Sequence, residues 1–123
     1  MNANITVGAL SYVQQYSEKS GSLRREIARG PALPTELKIA HQPYVDSTTK
    51  KAGTRSVVRF DRYQAMTDGT IAPVSAYVVV TRPTDALVTG TEILACFENL
   101  IGLLQEDDTG LDLADEIFVN QEQ

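Results

Sequence analysis

Between residues 35 and 83 the chain alternates apolar and polar positions with a period of two. In TELKIAHQ (35–42), Leu37, Ile39 and His41 point one way and Lys38, Ala40 and Gln42 the other. Pro43 is expected to end that strand, since it has no N–H to donate. TRSVVRFDRY (54–63) sorts in the same manner, with Ser56, Val58 and Phe60 on one face and Arg55, Val57, Arg59 and Asp61 on the other. MTDGTIAP follows, and its Asp68-Gly69 step is a hairpin signal. VSAYVVVTRP (74–83) reads as the next strand. Upstream, ITVGALSYVQQYSEKSGSLRREIARG accommodates two strands about a turn at Glu18-Lys19-Ser20-Gly21. GPALP (30–34) then interrupts the chain. An antiparallel meander is the economical topology.

After residue 88 the period changes. In TGTEILACFENLIGLLQ (89–105), Ile93, Phe97, Leu100 and Leu104 recur at helical spacing, flanked by Leu94, Cys96, Ile101 and Leu103. Thr89 and Glu92 form a capping box at its start, and the helix is expected to end near Asp107. GLDLADEIF (110–118) predicts a second, short helix. The long helix is apolar on nearly every side except Glu98 and Asn99. That arc is wider than the stripe of roughly 100° that packing on one sheet requires. A second copy of the chain is the expected cover, with Ile93, Leu94, Phe97, Leu100, Ile101 and Leu104 as the dimer interface.

Charge sharpens this division. Residues 1–84 hold all 11 Lys and Arg against six acids, for +5, while residues 85–123 hold ten acids and no base, for −10. The net charge of -5 therefore conceals a part suited to a polyanion and a part that repels one. At 123 residues the chain is expected to form one domain, with residues 1–30 as an N-terminal hairpin, 34–83 as the sheet and 89–118 as the helices.

The candidate chemistry is sparse. One cysteine, Cys96, permits no intrachain disulfide and reads as a small buried hydrophobe, and one histidine, His41, has no metal-ligand spacing around it. There is no phosphate-binding glycine loop, nucleophile elbow or zinc-protease motif. No metal, cofactor or small-molecule substrate is expected. An enzyme with His41 as base and Asp61 or Asp46 as its orienting acid is the least supported reading. MNANITVGAL does not read as a signal peptide, and no run approaches the roughly 20 apolar residues of a membrane helix. Cytoplasmic synthesis without membrane association is therefore expected.

The order of these elements, the Asp-Gly turn and the run PVSAYVVVTRPTDALVTGTEILACFENLIGLL resemble the coat proteins of single-stranded RNA bacteriophages, the leviviruses. The parallel runs from about Pro34 to Leu104 and includes Tyr77, Cys96 and GLL (102–104). The resemblance implies an α+β fold: an N-terminal β-hairpin, an antiparallel sheet and two C-terminal α-helices, in an intertwined homodimer. It further implies an icosahedral capsid assembled in the bacterial host cytoplasm around single-stranded RNA. Binding of an RNA hairpin would make the coat a translational repressor of the replicase.

Carried over position by position, the resemblance places the RNA face on Lys38, Ala40, Arg55, Val57, Arg59, Asp61, Tyr77, Val79 and Thr81. Cations there would neutralise phosphates and the tyrosine would stack on an unpaired base. Arg62 falls on the other face by strict alternation. The family's operator site uses small hydroxyl residues and an asparagine where this chain has Lys38, Ala40, Val57 and Val79. Either a different hairpin is read or binding is mainly electrostatic. Two alternatives stand beside this reading: a small dimeric α+β RNA-binding regulator that forms no shell, and surface salt bridging of Arg55 and Arg59, for example to Asp61.

Overall fold

A computed structural model of the chain describes residues 3–105, 107–108, 111–112 and 115–121. The chain forms two compact units, Met1–Pro83 and Thr84–Gln123. The first is a six-stranded antiparallel meander of β1 (Ile5–Val7), β2 (Leu10–Ser17), β3 (Gly21–Glu26), β4 (Thr35–Val45), β5 (Ala52–Ala65) and β6 (Ile71–Pro83). Each strand pairs with its sequence neighbour, so spatial order equals chain order. The predicted meander is therefore present.

Three features of the sheet differ from the sequence reading. The N-terminal stretch holds three strands rather than two, because Gly8, at φ 62°, lets the chain reverse between β1 and β2. These strands are no separate hairpin: β3 pairs with β4 from Gly21↔Ala40 to Glu26↔Thr35 and so joins the main sheet. Pro43 does not end β4, which continues to Val45. His41 donates its N–H to the Ser20 carbonyl on the β3 side. The nitrogen of Pro43, two residues on, faces that same side, past the last β3–β4 pair, so no ladder bond is lost there.

The expected turns form. Glu18 and Gly21 exchange backbone hydrogen bonds of 2.8 and 3.3 Å across Lys19 and Ser20. Met66 donates to Thr70 at 2.7 Å around Asp68-Gly69, with Gly69 at φ 86° and the Asp68 carboxylate accepting from the Thr70 N–H. β2 carries a bulge at Gln15, where the register steps from Gln14↔Arg24 to Tyr16↔Leu23. The bulge places Val13 and Tyr16 on one face although their parities differ.

The small core lies on the face that bears Leu37 and Phe60. Tyr12 meets Phe60 edge-on at 5.7 Å between ring centroids, and Leu37 pairs directly with Phe60. Tyr12 and Leu37 are the buried apolar side chains among the described residues, whereas Arg24, Glu26, Thr35, Glu36 and Asp61 are buried polar ones. Val58 and Val74, on the same face as Leu37, remain exposed.

The second unit contains α1 (Gly90–Gln105), and none of its residues is buried. The Glu92 carboxylate accepts the Thr89 backbone N–H at 3.0 Å and bonds its hydroxyl, so the capping pair is formed. Cys96, expected inside, is exposed. Where a second helix was expected, the described residues form β7 (Asp107–Asp108) paired with β8 (Leu111–Asp112), then a π-helical turn at Asp115–Val119. The remaining positions of that segment lie outside the described residues.

Gly53 sits between Tyr44 and Pro83 in the β4–β5–β6 ladder. A Cβ there would lie 2.4 Å from the Arg82 carbonyl oxygen and 2.7 Å from Tyr44 Cε1. Since backbone cannot step aside as a flexible side chain can, Gly53→Ala is expected to cost about 1–3 kcal/mol. Denaturant unfolding of the two proteins measures it, and equal midpoints would contradict the close approach.

Candidate nucleic-acid interface

Register decides which side chains share a face. Across β4, β5 and β6, Lys38 pairs with Arg59 and Arg59 with Tyr77; Ala40 pairs with Val57 and Val57 with Val79. On either side, Glu36 stands by Asp61 and Ser75, and Gln42 by Arg55 and Thr81. All nine positions proposed from the resemblance therefore lie on one face of three adjacent strands. Directly opposed residues have Cβ atoms about 5 Å apart, so each row is a set of touching neighbours.

Asp61 organises the middle of this face. The residue is almost wholly buried, 1% exposed. Oδ1 accepts hydrogen bonds from Arg59 Nε at 2.9 Å and Ser75 Oγ at 2.5 Å. Oδ2 has no aligned hydrogen bond, and Lys38 Nζ lies 3.2 Å from it as an ion pair. Arg59 also donates from Nη2 to Ser75 Oγ at 3.3 Å, and its Cζ stands 6.0 Å from the Tyr77 ring centroid. That separation is at the outer limit of a cation–π contact. Tyr77 is 61% exposed, so its ring face is open.

The salt-bridge alternative thus holds for Arg59 but not for Arg55, which has neither ion pair nor hydrogen bond among the described residues. Beside this centre, Arg25 pairs with Glu36 at 2.9 Å. Tyr63 bonds the Glu36 carboxylate, and that bond, with partial burial, raises its pKa. Ser75, Tyr63 and Gln42 were within reach of sequence reasoning, each lying two positions from a residue already assigned to the face. Leu23 and Arg25 were not, because their facing follows from the register of β3 on Lys38 and Glu36 of β4, and Val13 and Tyr16 were not, because the Gln15 bulge sets theirs.

Residues on the other face do different work. Arg62 pairs with Thr35 and Val74 and lines an open cleft of about 410 Å³ with Tyr12, Glu26 and Arg29. His41 Nδ1 lies 2.8 Å from Ser56 Oγ on that face, while Asp61 belongs to the opposite one. Asp46 Oδ1 accepts the N–H groups of Thr48 and Thr49 in the β4–β5 loop. Neither acid is arranged with His41 as a catalytic pair. Among the described residues no cluster of acidic, histidine or cysteine side chains could hold a metal ion, and no helix is long and apolar enough to cross a membrane.

Burial acts to raise the Asp61 pKa, yet the bonds from Ser75 and Arg59 and the contact with Lys38 outweigh it, so the carboxyl titrates below its ordinary 3.8. Because the folded-state value is the lower one, this stabilisation is complete above pH 3.8 and is lost as pH falls through the folded-state pKa. Unfolding curves of the wild type and Asp61→Asn, taken over a pH series, are expected to stand apart near neutrality and converge in acid. A separation that persists at the acid end would assign the effect to shape rather than charge.

No family model matches the chain, and no curated protein does. Among solved structures, the coat protein of bacteriophage EMS014 superposes with a TM-score of 0.67 at 17% identity, covering 99% of this chain and 97% of that one. A chain of the virus-like particle of bacteriophage AVE015 gives a TM-score of 0.60 at 22% identity, over 81% of this chain and 70% of that one. The likeness first visible in the order and spacing of the sequence is thus present in three dimensions: this chain has the fold of a bacteriophage coat protein.

Proposed function

We propose that the chain is a structural coat protein of an RNA bacteriophage, without enzymatic activity. Copies pair as homodimers, and the dimers build an icosahedral shell in the bacterial host cytoplasm, packaging single-stranded RNA as the virion capsid. The carrying observation is the row Lys38–Arg59–Tyr77 on an open sheet face, in a fold shared over nearly its whole length with a coat protein. Tyr77 supplies a ring for an unpaired base with Arg59 beside it, and Arg55 on the same face supplies charge for phosphate. RNA-hairpin binding by this face, and through it repression of replicase translation, is the finer part of the proposal.

Pairing of copies has its own support. β6 is the last strand of the sheet, and its 13 residues present an unpaired edge among the described residues. Such an edge is a template for another strand. Leu94, Phe97, Leu100 and Leu103 of α1 are exposed, and Ile93, Ile101 and Leu104 are only half-buried. With so few buried apolar side chains in one chain, a partner supplies the missing cover. Ile93, Leu94, Phe97, Leu100, Ile101 and Leu104 are its proposed contacts.

Electron microscopy of purified protein is expected to reveal uniform particles whose ultraviolet absorbance reports packaged RNA. A soluble dimer that never assembles would favour the RNA-binding regulator, and RNA-free shells would remove the role of the cationic face. At the level of residues, Arg55→Ala is expected to flatten the dependence of log affinity on log salt by about 0.7 per chain contacting RNA. An unchanged slope would show that Arg55 meets no phosphate.

A further inference from the structure

The cations of this face are not equivalent. Arg55 is unpaired among the described residues, whereas Lys38 and Arg59 share one buried carboxylate. Three charged groups at that point sum to a single positive charge. Asp61 cannot turn toward water, being 1% exposed, so drawing Lys38 away to a phosphate would leave Oδ2 without the one charged partner it has among the described residues. A buried carboxylate strongly resists that loss. The same carboxylate and Ser75 engage Arg59 through Nε and Nη2, fixing the guanidinium beside the Tyr77 ring.

We infer that Asp61 is a positioning and specificity residue: it withholds Lys38 and Arg59 from phosphate backbones in general and holds Arg59 where an unpaired base stacked on Tyr77 meets it. This rests on the RNA-facing reading above and alters the part Asp61 plays in it. The residue does not contact RNA. It tilts the face from phosphate density, which a duplex supplies best, toward an exposed base, which only a single strand or loop supplies.

The test uses the full-length chain, a labelled single-stranded RNA and a duplex of the same length, with anisotropy titrations over a salt series. The wild type is expected to prefer the single strand. Asp61→Asn releases two cations, so duplex affinity is expected to rise about three- to tenfold, with a steeper salt slope and a smaller single-strand preference. Ser75→Ala leaves the carboxylate in place and is expected to move the preference the same way by less, which serves if the first variant folds poorly. Equal weakening of both probes with an unchanged slope, or a Ser75→Ala protein with wild-type preference, overturns the inference while leaving RNA binding intact. A wild type that binds neither probe overturns the RNA reading itself, and this inference with it.

Discussion

Everything on the candidate face depends on the register in which β5 pairs with β4 and β6. Side chains alternate with a period of two, so a slip by one residue would carry Arg59 and Asp61 to the side of Leu37 and bring Val58 and Phe60 out in their place. Several features oppose that slip. Gly53 admits the Arg82 carbonyl and the Tyr44 ring at distances no side chain would tolerate. At the far end, the Asp68-Gly69 turn closes β5 on β6 with a fixed loop length. Between them, Phe60 is held by Tyr12 and Leu37 on one side of the sheet, and Asp61 by Lys38, Arg59 and Ser75 on the other.

The two sides are anchored by different physics. Tyr12 and Phe60 gain from leaving water and gain further from their edge-to-face arrangement. Asp61 is costly to bury and is stable there only because cations and a hydroxyl surround it. The polar anchor therefore carries a positional consequence that the apolar one lacks. It keeps two long, flexible side chains ordered on an otherwise open surface, where exposed lysines and arginines usually retain much of their freedom.

Alternation made much of this legible in the sequence. The residues of 35–42, 54–63 and 74–83 sort onto the faces where the structure places them, because each strand is regular and half-exposed. What alternation cannot supply is register across a bulge. Tyr16 and Val13 share a face only because Gln15 is skipped in the pairing with β3, and nothing in SYVQQYS announces that skip. Pro43 misled for a related reason: its missing N–H matters only on a paired side, and which side is paired depends on where β3 ends. Nor could spacing alone tell that Asp61 is buried beneath its cations rather than offered beside them.

The division of charge coincides with the division of structure. The unit that ends at Pro83 contains all 11 basic residues and a net +5, and the unit that begins at Thr84 carries −10 and no base. A polyanion is attracted to the first and repelled by the second, which suits the proposed RNA partner. The acidic unit also contains the helix whose apolar side chains are exposed. Charge at that density opposes indiscriminate aggregation, while the apolar surface favours a partner that brings its own complementary cover. For a protein proposed to pair first and enclose RNA afterwards, the separation lets apolar burial govern pairing and lets phosphate and base contacts govern packaging.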